Sequence, residues 1–196
     1  LPRLGGGALG RAARCARPGG GALSTPRSLI LVGLPGAGKS TVGPLVAAEL
    51  GARWCDLDER IVADAGRSIP AIWADEGEAG FRQRERAAMT SALAEGPQVI
   101  AAGGGWIAQP GNLLEAEPLA LVLYMSLDPA DAARRVAGQG GRPLLEGEDV
   151  EAKVRALLAE RERWYRLAGV EVAVGIAPPA AAAEAIVVAA RQYGGW

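Results

Sequence analysis

Residues 33–40 read GLPGAGKS and follow directly on the apolar run LILV at residues 29–32. The spacing of the first glycine to Gly38, Lys39 and Ser40 matches G-x-x-x-x-G-K-[ST], a pattern found in loops between a buried strand and a helix. Glycines let backbone N–H groups approach a phosphate, and the following helix adds the positive end of its dipole. The stretch therefore predicts a loop that holds the phosphates of a nucleoside triphosphate, with Lys39 on the β- and γ-phosphates.

The composition of the whole chain limits what else the protein can be. Its 196 residues are 49% hydrophobic and 22% charged, which fits one globular domain with a sizeable core. The net charge is −1, so we expect no binding to nucleic acid or to an anionic membrane. The chain has no histidine, which excludes imidazole catalysis. Two cysteines, Cys15 and Cys55, are too few for a disulfide framework, and we expect a cytoplasmic protein.

Residues 1–27 differ in composition from the rest of the chain. They hold five arginines, two glycine clusters and no acidic residue. Such a segment buries too little apolar surface to order itself, so we expect a disordered N-terminal extension before a folded domain at residues 28–196. Two alternatives stay open: a targeting peptide, which is also basic, and an artefact of where translation or the sequence begins.

From residue 28 onward, strand-like runs alternate with helical patterns. The predicted strands are residues 28–32, 53–57, 98–102, 119–125 and 170–175. The clearest predicted helices are residues 87–95, 149–167 and 180–191. Short buried strands that alternate with amphipathic helices are typical of an α/β fold whose parallel sheet is covered on both faces.

Two aspartates flank Leu57 at the end of the second predicted strand. Residues two apart in a strand point to the same side, so Asp56 and Asp58 can both face the crevice at the carboxyl ends of the strands. One carboxylate can there hold hydrated Mg²⁺, and the other can accept a proton from a substrate hydroxyl. The alternative is a pair of turn residues, with Asp58 capping a helix at residues 59–65. Spacing alone leaves both interpretations open.

Arginines at two helical positions are candidates for binding an anion. Arg82 and Glu85 are three residues apart and share a helix face, although such a pair is commonly a solvated surface contact. Arg161 lies on an otherwise apolar stripe with Val154 and Tyr165, and an unpaired buried charge costs several kcal/mol. Its partner is either a structural carboxylate or an anionic ligand, and the planar guanidinium suits a carboxylate.

Two glycine-rich segments complete the candidate site. GQGGRPLLEGED at residues 138–149 lies outside any periodic pattern. We interpret it as a lid on which Arg142 swings onto phosphates, with an ordinary surface loop as the alternative. GGGW at residues 103–106 ends the third predicted strand, and its glycines permit a ligand to approach the backbone N–H groups closely.

Six segments together form a pattern that extends from residue 28 to the C-terminus. They are GLPGAGKSTVG, DLDERI, GRSIPAIWADEGEAGFRQRE, AAGGGW, GRPLL and RERWYRLA. Their order and spacing resemble those of the shikimate kinase family. The resemblance implies a three-layer P-loop kinase fold, similar to nucleoside monophosphate kinases, with a five-stranded parallel sheet in the order 2-3-1-4-5. It also implies that ATP phosphorylates the 3-hydroxyl of shikimate, with Mg²⁺ as cofactor, in the biosynthesis of chorismate and the aromatic amino acids.

On the nucleotide side, the resemblance implies that Lys39 and Arg142 act on the phosphates during transfer. Arg135 would stack on the adenine, with Pro179 against the other face. Mg²⁺ would be held by Ser40 and, through water, by Asp56. The implied nucleotide-binding residues are Gly36, Ala37, Gly38, Lys39, Ser40, Thr41, Arg135, Arg142 and Pro179.

On the acceptor side, the resemblance implies that Arg82 and Arg161 grip the carboxylate of shikimate, with Glu85 orienting Arg82. Asp58 would contact the hydroxyls and take the proton, and Gly104 would contribute its N–H. The implied catalytic residues are Lys39, Asp58 and Arg142. The implied acceptor-binding residues are Asp58, Arg82, Glu85, Gly103, Gly104, Gly105 and Arg161.

Two other functions compete with this interpretation. A kinase for another carboxylated polyol, such as gluconate, would share the phosphate loop but not the full set of paired aspartates and arginines. A non-catalytic, kinase-derived regulatory module would be expected to have lost Lys39, Asp58 or a gripping arginine, and all are present. We expect a monomer that binds the small molecules ATP and shikimate and has no nucleic-acid or membrane partner.

Overall fold

The protein is built around one parallel sheet. The computed structural model describes residues 25–137, 149–175 and 177–196. The strands of the sheet are β1 (Ser28–Val32), β2 (Arg53–Asp56), β3 (Gln98–Ala101), β4 (Ala120–Ser126) and β5 (Val170–Ala173). Their order is β2-β3-β1-β4-β5, and every neighbouring pair is parallel. The predicted α/β fold and its strand order 2-3-1-4-5 are thereby confirmed.

Helices cover the sheet and connect its strands. They are α1 (Lys39–Leu50), α2 (Leu57–Ala65), α3 (Ile69–Ala94), α4 (Asn112–Ala116), α5 (Pro129–Val136), α6 (Val150–Tyr165) and α7 (Pro179–Tyr193), with a 3₁₀ turn at Trp106–Ala108. Helix α1 packs against α7, α2 against α3, and α5 against α6. Within the described ranges, none of these helices combines the length and the apolar character that a membrane span requires.

The central strand β1 explains where the core and the site lie. All five of its residues are buried, because a parallel strand with both faces covered needs apolar side chains throughout. It pairs with β3 on one side and β4 on the other. The strand order reverses at β1, and ligands of open α/β sheets bind at the carboxyl ends of the strands near such a point.

Helix α3 is much longer than residues 87–95, the part predicted most clearly, and it includes Arg82 and Glu85, which were also predicted to be helical. It begins at Ile69, where the Ser68 hydroxyl accepts a hydrogen bond from the N–H of Ala71. Gly77 interrupts it with φ 67° and ψ −174°, so the helix consists of two parts joined at a kink. The conformation at Gly77 is in the left-handed region of φ, which glycine adopts without steric cost.

The residues just before β1 are hydrogen bonded to the C-terminal end of the chain. The N–H of Arg27 donates to the carbonyl of Gly194 at 3.0 Å, and the Arg27 guanidinium donates to the carbonyl of Tyr193 at 2.8 Å. Arg27, the last residue of the predicted extension, therefore contacts the end of α7. Residues 1–24 of that extension lie outside the described residues.

Candidate active site

The phosphate loop leaves β1 and enters α1 in a conformation that requires glycine. Gly36 has φ 84°, and a Cβ placed there would lie 2.6 Å from the carbonyl oxygen of Ala132. Lys39 is the first residue of α1, and its ammonium donates to the carbonyls of Gly33 at 2.9 Å and Leu34 at 3.1 Å. The lysine charge is thus held at the loop, beside the N-terminus of a helix that favours anions.

Ser40 and Asp56 bring two oxygen ligands together at the start of α1. The Ser40 hydroxyl donates to Asp56 Oδ2 at 2.6 Å. Hydroxyl and carboxylate oxygens are ligands that Mg²⁺ accepts, commonly alongside several waters and substrate phosphates. No group of three or more acidic, cysteine or histidine side chains suited to a metal occurs within the described ranges. The pair therefore fits a metal held mainly by phosphates and water.

Asp56 and Asp58 do not lie in one strand, so the period-two argument for them was wrong. Strand β2 ends at Asp56, whose Oδ1 accepts hydrogen bonds from the N–H groups of Asp58 and Glu59. Asp56 is therefore the N-cap of α2, and Asp58 lies in the first turn of that helix. The alternative, a cap by Asp58 before residue 59, was also wrong, because the helix begins at Leu57.

Asp58 nonetheless lies near Glu85, because α2 carries its side chain to the glycine segment that follows β3. A Cβ built on Gly103 would lie 3.5 Å from Asp58 Oδ1 and 2.4 Å from Glu85 Oε1. Three elements thus meet at this point: the first turn of α2, the second part of α3, and the segment after β3. A side chain at position 103 would displace the Glu85 carboxylate, whereas its Cβ would make only an ordinary contact with Asp58.

Arg82 and Glu85 form a largely buried ion pair on α3. Arg82 Nη1 donates to Glu85 Oε2 at 2.8 Å, and the Glu85 side chain is 1% exposed. The Arg82 guanidinium also lies 6.0 Å from the Trp73 ring centre and 5.4 Å from that of Phe81. Burial raises the pKa of Glu85, and the charge of Arg82 partly opposes this rise. The pair is therefore not the solvated contact that spacing alone allowed.

Arg161 is buried as the apolar stripe predicted. Its side chain is 6% exposed, and among the described residues its Nε has no hydrogen-bond acceptor. Among the described residues, Arg161 forms an ion pair with the exposed Glu160, whose Oε1 lies 3.6 Å from Arg161 Nε. The positive charge of Arg161, like that of Arg82, acts against the rise in the pKa of Glu85. The guanidinium is thus only partly satisfied within the described structure.

Arg135 lies in α5, the helix that follows β4, and Pro179 lies in α7, the helix that follows β5. Arg135 donates to the carbonyl of Gly36 at 3.3 Å and to that of Gly175. Pro179 is the first residue of α7. Arg135 thereby connects α5 to the phosphate loop and to the segment that precedes α7.

One cavity of about 600 Å³ joins these regions. It is lined by every predicted site residue in the described ranges: Gly36, Ala37, Gly38, Lys39, Ser40, Thr41, Asp56, Asp58, Arg82, Glu85, Gly103, Gly104, Gly105, Arg135, Arg161 and Pro179. Arg142 lies outside the described residues. The cavity has the size of a small-molecule site, with cationic groups from the phosphate loop, α3 and α6 in its wall.

The sequence reasoning missed the apolar part of the wall. The residues concerned are Ile69, Trp73, Phe81, Leu157, Val174, Ala177 and Ala182. A start signal for α3 was available, because Ser68 is followed two residues later by Pro70, as is common at helix N-termini. Recognising it would have placed Trp73 in the same helix as Arg82. The other wall residues carry no chemical pattern that distinguishes them from core residues.

Comparison with known proteins gives a consistent result. The family model described as Shikimate kinase matches residues 35–191. The chain is 41% identical over 140 residues to the shikimate kinase of Symbiobacterium thermophilum, covering 70% of this chain and 80% of that protein. It is 42% identical over 139 residues to that of Mycobacterium avium, covering 71% and 78%.

A solved structure extends the similarity to three dimensions. Shikimate kinase from Acinetobacter baumannii, in complex with shikimate, superposes with a TM-score of 0.82 at 33% sequence identity. The superposition covers 86% of this chain and 94% of that one. Most of both folds therefore coincides.

Proposed function

The chain belongs to the shikimate kinase family, and we infer from this that it transfers the γ-phosphoryl group of ATP to the 3-hydroxyl of shikimate. The products are shikimate 3-phosphate and ADP. One observation carries this function: the phosphate loop and two arginines with a buried carboxylate line the same cavity. A phosphoryl donor and a carboxylated acceptor can both be accommodated there.

We assign the donor half of the cavity to ATP. Lys39 would neutralise the charge that develops on the transferring phosphoryl group, which stabilises the transition state electrostatically. Backbone N–H groups of the loop would hold the phosphates, while Arg135 and Pro179 would hold the adenine. We propose that Arg142 contacts the phosphates, as family membership suggests.

We further propose that Mg²⁺ binds with ATP. Ser40 and Asp56 would hold it, Ser40 directly and Asp56 through water. When bound, the ion would supply positive charge to the phosphate oxygens. The hydrogen bond between these two side chains supports the assignment, because it already brings a hydroxyl and a carboxylate oxygen together.

We assign the acceptor half to shikimate. Arg82 and Arg161 would bind its carboxylate, and the partly unsatisfied guanidinium of Arg161 supports this role. Asp58 would accept the proton of the 3-hydroxyl. The hydroxyl oxygen would then form a bond to the γ-phosphorus as the bond from that phosphorus to the bridging oxygen of ADP breaks.

Two further properties follow as proposals. We expect the monomer to be active, because one chain by itself brings the phosphate loop and both arginines into the wall of one cavity. We also propose that the enzyme works in the cytoplasm, where ATP is available and where the free thiol of Cys55 would stay reduced.

A coupled assay of ADP release tests the function. It compares shikimate, gluconate and a reaction without an acceptor at equal ATP. Of the three reactions, we expect turnover only in the one that contains shikimate. Proton NMR of its product should show the phosphate on the 3-oxygen. Preferential turnover with gluconate would show that the protein is a kinase for another carboxylated polyol. Release of ADP without an acceptor would indicate an ATPase.

A further inference from the structure

Tyr165 joins two parts of the acceptor half that are distant in sequence. It is the last residue of α6, and its side chain is fully buried. Its ring stacks on that of Tyr124 in β4, with centroids 4.9 Å apart and planes at 11°. Its hydroxyl donates to the carbonyl oxygen of Gly104 at 2.5 Å. A strand and a helix thus hold the ring, and the hydroxyl is directed at the glycine segment.

The same hydroxyl also interacts with Arg161, one helical turn earlier on α6. Burial raises the pKa of Tyr165, and the side chain of Arg161, as a hydrogen-bond donor and through its charge, partly opposes this rise. Since the guanidinium can only donate, the phenol oxygen accepts from Arg161 while its proton goes to Gly104. One hydroxyl therefore connects the guanidinium to the backbone.

The glycine segment is in turn in close contact with the other acceptor groups. A Cβ on Gly103 would lie 2.4 Å from Glu85 Oε1, and one on Gly105 would lie 2.6 Å from Arg82 Nη2. On its other side, a Cβ on Gly104 would lie 3.3 Å from the carbonyl of Gly33 in the phosphate loop. A shift of this segment toward α3 would therefore displace the ion pair of Arg82 and Glu85.

We propose that Tyr165 is a positioning residue that sets the distance between the two arginines of the acceptor site. The inference rests on the proposed function, since it assumes that both arginines bind one carboxylate. Through its hydroxyl, Tyr165 holds Arg161 directly and holds Arg82 by way of the segment from Gly103 to Gly105. The hydroxyl itself touches no substrate in this proposal. A planar carboxylate requires its donors at fixed separation, so a small loosening weakens binding.

The test is Tyr165→Phe, which removes one oxygen and keeps the stacked ring. The matched control is Tyr124→Phe, which removes the hydroxyl of the other ring in the same stack. We expect Tyr165→Phe to raise the KM for shikimate about tenfold, because it leaves a buried carbonyl and a buried guanidinium each without one hydrogen bond. The KM for ATP should stay within about twofold of wild type, and Tyr124→Phe should change neither constant.

A double-mutant cycle separates positioning from general destabilisation. If Tyr165 acts partly through Arg161, its removal in an Arg161→Lys background should cost less than in the wild type. Melting temperatures of all four proteins are measured in parallel.

Equal shikimate KM values for wild type and Tyr165→Phe would overturn the proposal. So would a rise in both KM values together, or strictly multiplicative effects in the cycle, since these would indicate a structural role only. Wild type that turns over another acceptor but not shikimate would overturn the proposed function, and the role of Tyr165 in shikimate binding with it.

Discussion

Arg82 and Glu85 are a charge pair in which the anion is more deeply buried than the cation. Arg82 Nη1 lies 2.8 Å from Glu85 Oε2, and the side chains are 13% and 1% exposed, respectively. Glu85 Oε1 has no hydrogen-bond donor among the described residues. The pKa of Glu85 is raised mainly by burial, with Asp58 adding to the rise, while Arg82 and Arg161 act against it.

This raised pKa predicts an unusual pH dependence of stability. Between the ordinary value of 4.5 and the raised value, folded Glu85 binds its proton more tightly than the unfolded chain does. The free energy of unfolding should therefore fall as pH increases through that window, by at most about 1.4 kcal/mol per pH unit from this group. Glu85→Gln cannot titrate and should lose this slope in urea unfolding at a series of pH values. Parallel profiles for the two proteins would contradict a raised pKa.

Lys39→Met tests the phosphate loop. The substitution keeps the length of the side chain and removes its charge, so kcat should fall by at least about 10²-fold. The control is Lys153→Met, which changes the only other lysine of the chain. Both variants should unfold near the wild-type melting temperature. If Lys39→Met turned over at a near-normal rate, the proposed role of the loop in transfer would be wrong.

Asp56 and Asp58 should respond differently to Mg²⁺. Asn can still cap a helix, so Asp56→Asn should keep α2 in place while weakening the hold on the metal. Excess Mg²⁺ should then restore part of its activity. Asp58→Asn loses the proton acceptor, so its kcat should stay low at any Mg²⁺ concentration. Steady-state kinetics over a Mg²⁺ titration measure this, and rescue of Asp58→Asn instead would reverse the two assignments.

Arg161 and Arg82 should affect shikimate but not ATP. Removing one partner of a buried charged contact costs about 2–5 kcal/mol, which corresponds to weakening of about 30- to 4000-fold. We expect this for Arg161→Met and Arg82→Met in calorimetric titrations with shikimate. Arg161→Lys should also bind poorly, since an ammonium keeps the charge but lacks the planar fork.

A shikimate analogue with a neutral amide provides the control for both arginines. Wild type should bind it weakly, and neither substitution should weaken that binding by the same factor again. Equal losses for the acid and the amide would mean that these arginines hold the fold rather than the carboxylate.

Gly105→Ala should disturb the acceptor site without straining the backbone. Gly105 has φ −100°, which alanine adopts freely, but its Cβ would lie 2.6 Å from Arg82 Nη2. Since that contact is the end of a flexible side chain, Arg82 should move aside and the shikimate KM should rise about tenfold. The control, Gly169→Ala, places its Cβ at an ordinary 3.4 Å from Leu121. A change in ATP affinity alone would contradict this prediction.

The parts of the fold that sequence predicted well are those with an unambiguous physical pattern. Strand β1 was predicted with its observed bounds because its short apolar run is followed at once by the phosphate loop. Helix α3 was predicted only in part, because Gly77 and a run of charged residues conceal its periodicity. The strand order came from the family resemblance, since no residue pattern within single strands determines which strands become neighbours.

The residues of the candidate site also divide into those that a sequence pattern predicts and those that only the packing brings together. Charged residues such as Arg161 could be identified because a charge on an apolar stripe needs a partner. Asp58 was predicted to face the crevice and lines the cavity, although the prediction of its local structure was wrong, since the N-cap of α2 is Asp56 rather than Asp58. The bond from Tyr165 to Gly104 joins residues 61 positions apart, and only the packing of α6 onto the glycine segment creates it.

The central place of β1 in the sheet has a consequence for how the protein is made. Leu29 pairs with Val99 in β3 and with Leu121 in β4, so the first strand to leave the ribosome finds both its neighbours far downstream. Such non-local pairing makes folding slow, because the loops must close before the contacts form. A nascent chain that stops before β4 leaves one edge of the apolar strand β1 unpaired. Strands of other chains can then pair with that edge. Truncation near the C-terminus of β3 should therefore produce aggregation rather than a smaller folded domain.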